Sequence, residues 1–282
     1  MLGAAGLANL STAPNSKQAQ SVGLVSMVAA MTHDYGHPQV NNAFLVEEES
    51  AMALEFNNQA VAEHFALRET MKLLMDSDTN FLSKSGDNRR GGLDEADTRS
   101  ARLQRKRFRG AVIQIVLATD MSRHFELLSQ FETQIVQNRD LKGRGGASSM
   151  WAAMNDAQRM LVLQIAMKVA DIGHCALPMD VHRVWVHRLE TEFFLQGDRE
   201  KEAGLPVSPL MDRKLLGATA PENQVGFFKV IVLPLLRAWT EVFPSSSPLL
   251  EQAEANLSFY STQVATAQRQ MSVSIRAGKR GD

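Results

Sequence analysis

The stretch HDYGHPQVNNAFL, His33 to Leu45, decides how this chain is read, because it sets a His-Asp pair inside an apolar helical segment. An imidazole and a carboxylate at one point are what a site for one or two divalent cations requires. A bridging aspartate can hold two metals close enough to activate water against a phosphate. His37, four residues on, is expected on the same helical face, with Asn42 a further turn and a half along. Taken alone the dipeptide is weak, since a core histidine beside a helix carboxylate accounts for it equally well.

Outward from this stretch the chain reads as helix almost throughout. Apolar residues recur at helical spacing over Ser50 to Asp76 (Met52, Leu54, Val61, Leu67, Met71, Leu74), over Gly110 to Val136 and over Trp151 to Val169. Gly and Pro punctuate the ends, at Gly143 to Gly146, Gly204 to Pro209 and Pro244. No stretch keeps a period-two alternation, so the expected fold is all-α, a compact multi-helix bundle. With 282 residues, 44% hydrophobic and 22% charged, the chain can bury a substantial core as one domain.

Charge and cysteine usage narrow the class. The formal net charge of −1 gives no global pull toward nucleic acid or an anionic membrane. Cys175 is the only cysteine, so no intrachain disulfide forms, which fits a reducing cytosol and a cytoplasmic location. The start MLGAAGLANL lacks a charged n-region, and the apolar run near Val22 to Met31 is too short to span a bilayer. The polar, Gly-rich segment 84–97 is expected as a mobile insertion, and 263–282 as a disordered tail. Arg99, Arg102, Arg105, Lys106, Arg107 and Arg109 cluster on the helix expected to carry Thr119 and Asp120; a solvated face is the ordinary explanation.

A second carboxylate strengthens the metal argument. Asp171 follows the apolar run Ile165 to Ala170, where an unpaired buried carboxylate would be costly and a cation would compensate. Three further blocks fall in order: VLATDMSRH (Val116 to His124), MKVADIG (Met167 to Gly173), and EFFLQGDREKEAGLPVSPLMDR (Glu192 to Arg213), with NQVGFFKVIVLPL (Asn223 to Leu235) behind it. In this order they resemble the catalytic domain of the class I cyclic nucleotide phosphodiesterases, the helical HD-type enzymes that hydrolyse cAMP or cGMP. The resemblance covers a domain over 22–262, with 1–21 matching poorly.

That resemblance implies His33, Asp34 and Asp171 as direct ligands of two divalent metals, Asp34 bridging. Zn2+ suits the mixed nitrogen and oxygen site, and Mg2+ or Mn2+ the water-rich second one. His37, Glu63 and Thr119 match positions that hold metal-bound waters, with Asp120 a helper in the same network. On the nucleotide side the resemblance implies that Asp34 and Asp171 also face substrate. Gln224 would offer donor and acceptor to the purine edge, and Leu189 and Phe227, with Phe193 close by, would clamp the base. His174 stands where the family usually has a base-contacting asparagine. Without the resemblance these apolar residues would read as helix core.

Departures qualify the match. The family places a YHNxxH-type motif before the His-Asp pair, supplying the general acid and one more metal ligand, but residues 1–32 contain no histidine. The expectation is therefore an upstream segment missing from the chain as written, and poor turnover by the chain alone. Gly36 replaces a common acidic residue, and Asn58 and Ala66 replace an acidic residue and a histidine. The expected function is metal-dependent hydrolysis of a 3',5'-cyclic nucleotide to the 5'-monophosphate; the alternative is a degenerate, non-catalytic nucleotide-binding or scaffold homologue. Partners follow as a cyclic nucleotide, no nucleic acid and no membrane span, with a homodimer or regulatory domains compatible with the full-length protein.

Overall fold

Helix α1 (Lys17–Thr32) stops where the sequence stops it. The His33 N–H makes the last helical bond, to the Ala29 carbonyl, at 2.9 Å. Tyr35 and His37 then close turns onto Thr32 and Asp34. Gly36 takes φ +68°, a conformation that L side chains rarely adopt, and a Cβ there would stand 2.7 Å from Phe65 Cε1. The His-Asp pair therefore sits on a turn and not within a helix, and His37 does not share a helical face with His33. Gly36, a departure from the family pattern, is dictated by this turn.

The computed structural model describes residues 17–76, 78–80, 95–141 and 147–278. Among them no strand occurs, as the all-α expectation requires. No helix among them is long and apolar enough to cross a membrane. The expected insertion 84–97 lies outside the described residues except for Glu95 to Asp97, which open a helix. The chain falls into two compact units, 1–170 and 171–282.

In the first unit, α2 (Asn42–Glu47) and α3 (Ala51–Glu55) are short helices capped by Asn41 and Ser50, whose side-chain oxygens accept from Phe44 and Ala53 N–H groups. The helix expected from Ser50 to Asp76 is broken before α4 (Val61–Met75) because Asn57, Asn58 and Ala60 adopt left-handed φ of 54°, 62° and 42°. Asparagine tolerates that region well, which accounts for Asn58 where the family has an acidic residue. Helix α5 (Glu95–Leu117) ends before Thr119, so Thr119 and Asp120 stand on the turn after it and not on it. Helices α6 (His124–Phe131) and α7 (Ala147–Ala153) follow, and α8 (Asp156–Asp171) closes the series. Residues 161–165 and 167–169 of α8 are all buried, the pattern of a helix enclosed on most sides. Asp171 is its last residue and is exposed, so the burial-cost argument for a cation does not apply to it.

In the second unit, α9 (Met179–Glu202), α10 (Pro221–Phe227), α11 (Leu233–Val242) and α12 (Ser247–Gly278) build their own core. Helix α12 packs on α10 and α11 and runs through Gly278, so the expected tail is helical as far as that residue. Phe228, Val232, Leu235 and Trp239 are fully buried in this core.

The QGDRE and SPLMDR blocks are structural partners here. A Cβ on Gly197 would lie 1.9 Å from the Met211 carbonyl oxygen, so only glycine lets the strap 205–220 approach α9. Glu200 accepts from Gln196 Nε2 at 2.8 Å and from Ser208 N and Oγ at 2.7 Å each. Burial works to raise the Glu200 carboxyl, but these hydrogen bonds outweigh it and hold its pKa below the usual value. Asp198 pairs with Arg213 and Lys201 with Asp212, both at 2.8 Å.

The Trp239 ring is 0% exposed, and its centroid lies 4.3 Å from that of Phe243. Trp239→Ala is expected to cost about 3–5 kcal/mol through the cavity it leaves. Urea unfolding would show this as a lower midpoint; a loss under about 1 kcal/mol would place the core of this unit elsewhere.

Candidate functional site

His33 and Asp34 face each other on the turn after α1, His33 Nε2 lying 3.1 Å from Asp34 Oδ2. His33 Nδ1 is 3.0 Å from the Ala30 carbonyl oxygen. A carbonyl only accepts, so Nδ1 carries the proton, and in the neutral ring Nε2 then presents a lone pair toward a carboxylate. Two acceptors this close need a positive charge between or on them, either a proton or a metal cation. The hydrogen bond from His33 is the main cause that holds the Asp34 carboxyl below its usual pKa; burial opposes it, and His37 adds to it.

Glu63, in the first turn of α4, is the next carboxylate. Asn42 Nδ2 donates to Glu63 Oε2 at 2.9 Å, and Asn42 Oδ1 accepts from the Ala62 N–H at 2.9 Å. Asn42 thus caps α4 from outside, where the helix's own N-cap, Ala60, has no side chain able to do so. Burial raises the Glu63 carboxyl above the usual range, partly offset by Asn42 and helped by the charge of Asp120; His37 acts the other way. His37 acts electrostatically on both Asp34 and Glu63, and Asp120 on Glu63, so the four lie in one neighbourhood.

Thr119 is buried, and its hydroxyl donates to the Val116 carbonyl at 2.7 Å, which leaves the oxygen lone pairs to accept. Lys168, which the sequence reading passed over, pins this turn: its buried ammonium donates to the Ala118 carbonyl at 3.0 Å and reaches the Asp120 carbonyl at 3.5 Å. The available signal was a lysine inside the otherwise apolar run IAMKVA, Ile165 to Ala170. His124 is also buried, with neither ring nitrogen hydrogen bonded, and burial, then Lys168, push its pKa down to about 4.

The residues expected to meet the nucleotide lie in the second unit. Leu189 and Phe193 are four apart on α9, and both are partly exposed. Gln224 and Phe227 are three apart on α10, but Gln224 is buried and its Nε2 donates to the Ala218 carbonyl at 2.7 Å. That commits one amide N–H to the main chain, and Gln224 shares a further hydrogen bond with His182. His174 stacks on His182 at 5.2 Å and 7° between planes. Burial, then His182, lower the His174 pKa to about 4, with Asp171 opposing. His174 is therefore neutral near pH 7.

A helical chain with an imidazole–carboxylate pair on a turn, backed by a raised carboxyl and a pinned hydroxyl, falls in the class of helical His-Asp proteins. The comparisons narrow the class. Residues 11–253 match the 3'5'-cyclic nucleotide phosphodiesterase family, so the match begins upstream of the expected residue 22. A probable 3',5'-cyclic-AMP phosphodiesterase of Caenorhabditis elegans is 33% identical over 242 residues, covering 86% of this chain. The rat 3',5'-cyclic-AMP phosphodiesterase 4C is likewise 33% identical over 242 residues and 86% of the chain. The chain spans 33% of the first relative's length and 41% of the second's. The crystal structure of the phosphodiesterase domain of Salpingoeca rosetta rhodopsin phosphodiesterase superposes with a TM-score of 0.73 at 27% identity, over 91% of this chain and 70% of that one. The chain belongs to the 3'5'-cyclic nucleotide phosphodiesterase family, whose members use divalent metals.

The raised Glu63 carboxyl has a thermodynamic consequence. Its folded pKa lies above the unfolded value of 4.5, so the folded state holds the proton more tightly and stability falls as pH rises through that window. Metal-free Glu63→Gln protein, which cannot ionise there, should therefore gain on the parent as pH rises from about 4 to 7. Urea midpoints measured across the range test this; parallel pH curves for the two proteins would contradict it.

Proposed function

We propose that the protein hydrolyses a 3',5'-cyclic nucleotide to the 5'-monophosphate, with His33, Asp34 and Asp171 as direct ligands of two divalent cations. The observation that carries this reading is His33 Nε2 set 3.1 Å from the Asp34 carboxylate, an imidazole and a carboxylate that one cation can share in place of the proton between them. Zn2+ fits the imidazole-containing position, and Mg2+ or Mn2+ the all-oxygen one. Cations bound there supply acidification of water and neutralisation of phosphate oxygens.

The chain's own residues then have distinct tasks. Glu63, with a carboxyl raised by burial and steadied by Asn42, is suited to accept a proton from the attacking water near neutral pH. His37 and Asp120 set the charge around it, and the Thr119 oxygen is free to accept a hydrogen bond while its O–H donates to the Val116 carbonyl. Leu189, Phe193 and Phe227 offer apolar surface for the base, with Gln224 and His174 beside them. The relatives' names point to cAMP as the first substrate to try. A cytoplasmic setting agrees with the single cysteine.

Hydrolysis of cAMP and cGMP by the metal-loaded chain, before and after chelation, tests the proposal. Turnover should vanish on chelation, return with Mn2+ or with Zn2+ plus Mg2+, and fail to return in Asp34→Asn. Glu63→Gln should lower kcat by about 10²–10⁴-fold with metal content unchanged, the ordinary worth of a positioned base. Nucleotide binding without turnover under every metal condition, in the full-length protein as well as in this chain, would overturn the hydrolytic reading in favour of a scaffold. Turnover that survives chelation would overturn the metal reading.

A further inference from the structure

A second cluster of metal-type ligands lies wholly within the second unit. His174 and Cys175 occupy the one-turn 3-10 helix Gly173–Ala176, and His182 sits in the first turns of α9. One ligand atom from each of the three lies within 4.8 Å of the others. Cys175 and His182 are buried, at 1% and 0% exposure. None of the three was expected to bind metal from the sequence.

The separations suit a tetrahedral ion. Bonds of about 2.0–2.1 Å to nitrogen and about 2.3 Å to sulfur imply ligand separations of about 3.3 Å between nitrogens and about 3.6 Å from nitrogen to sulfur. His174 Nδ1 is 3.2 Å from His182 Nδ1 and 3.9 Å from Cys175 Sγ. Rotation about the Cys175 side chain can take up the difference. The turn that presents these atoms is fixed, since Asn256 Nδ2 on α12 donates to the Cys175 and Leu177 carbonyls at 2.9 Å each.

The hydrogen-bond accounting favours a cation as well. His182 Nδ1 lies 3.1 Å from the His174 carbonyl oxygen, which only accepts. If Nδ1 carries the ring proton, His182 Nε2 is a buried acceptor. Gln224 shares a side-chain hydrogen bond with His182, and with Gln224 Nε2 donating to the Ala218 carbonyl, Oε1 is the atom placed to accept from the ring. That bond needs the ring proton on Nε2; with the proton on Nδ1 the two are facing acceptors, which is costly. Binding a metal through Nδ1 would move the ring proton to Nε2, where it could be donated to Gln224 Oε1. This is the usual outer-shell arrangement for a metal-binding histidine.

We propose that His174, Cys175 and His182 form a second, soft-metal site of the His2Cys type, suited to Zn2+. A solvent molecule or a ligand group would complete the tetrahedron. Binding releases the Cys175 thiol proton to solvent and shifts the His182 proton from Nδ1 to Nε2, so the sulfur binds as thiolate. Burial raises the Cys175 thiol to about 12, so a free thiolate is not expected there without the ion.

Cobalt replaces zinc and reports its ligands, and Cys175 is the only thiol in the chain. Chelator-stripped protein titrated with Co2+ should develop a thiolate-to-cobalt charge-transfer band and tetrahedral d–d absorption at one equivalent. Asp34→Asn should keep this band, because the His33–Asp34 turn offers no sulfur. Cys175→Ser should lose it, and His174→Ala should weaken the cobalt affinity measured from it by roughly tenfold or more. Zn2+ should bleach the band. Saturating Co2+ without a charge-transfer band in the parent would overturn the proposal, as would a band in the parent that His174→Ala leaves at full affinity.

Discussion

The end of α1 at Thr32 is the constraint on which the candidate site depends. A helix continuing through His33 would bury its backbone polar groups and turn His33, Asp34 and His37 along its own axis. Gly36 at φ +68°, held against Phe65, stops it. The turn that results aims His33 Nδ1 back at the Ala30 carbonyl and leaves Nε2 facing Asp34. One glycine conformation thus sets an imidazole nitrogen and a carboxylate oxygen side by side, a pair that holds either a proton or a cation between them.

The rest of the first unit steadies this turn's surroundings more than it adds chemistry. Asn42 holds the Glu63 carboxylate and caps α4 with the same side chain. The Lys168 ammonium holds the Ala118 to Asp120 turn through main-chain carbonyls, so Thr119 and Asp120 are placed by a buried cation from α8. In the second unit, the family's most specific block serves the strap 205–220: Gly197 admits the Met211 carbonyl, and Glu200 gathers Gln196 and Ser208. Specificity of sequence there reflects close approach and hydrogen bonding.

Helical periodicity made the all-α class legible, because long amphipathic and apolar runs have few other solutions. Helix ends were less legible. Asn57, Asn58 and Ala60 break a run that apolar spacing alone would continue, since left-handed residues leave no trace in hydropathy. Asp171 looked buried from the apolar run before it, yet the last residue of a helix can reach solvent while its predecessors cannot. Gln224 was legible through the NQVGF block, but not the Ala218 carbonyl that takes one of its N–H groups, because that bond is set by a turn six residues earlier in the chain. Neither could spacing show that His174 and His182 stack, since eight residues and two helical segments separate them.

The central claim, that the His33–Asp34 turn is a cation site, is tested most directly by anomalous diffraction from crystals of the chain loaded with Zn2+ and recorded on both sides of the zinc edge. The account predicts an anomalous peak at coordination distance, about 2.0–2.2 Å, from His33 Nε2 and an Asp34 carboxylate oxygen. Full zinc loading with no peak on that turn, and His33 Nε2 still hydrogen bonded to the Asp34 carboxylate, would contradict it.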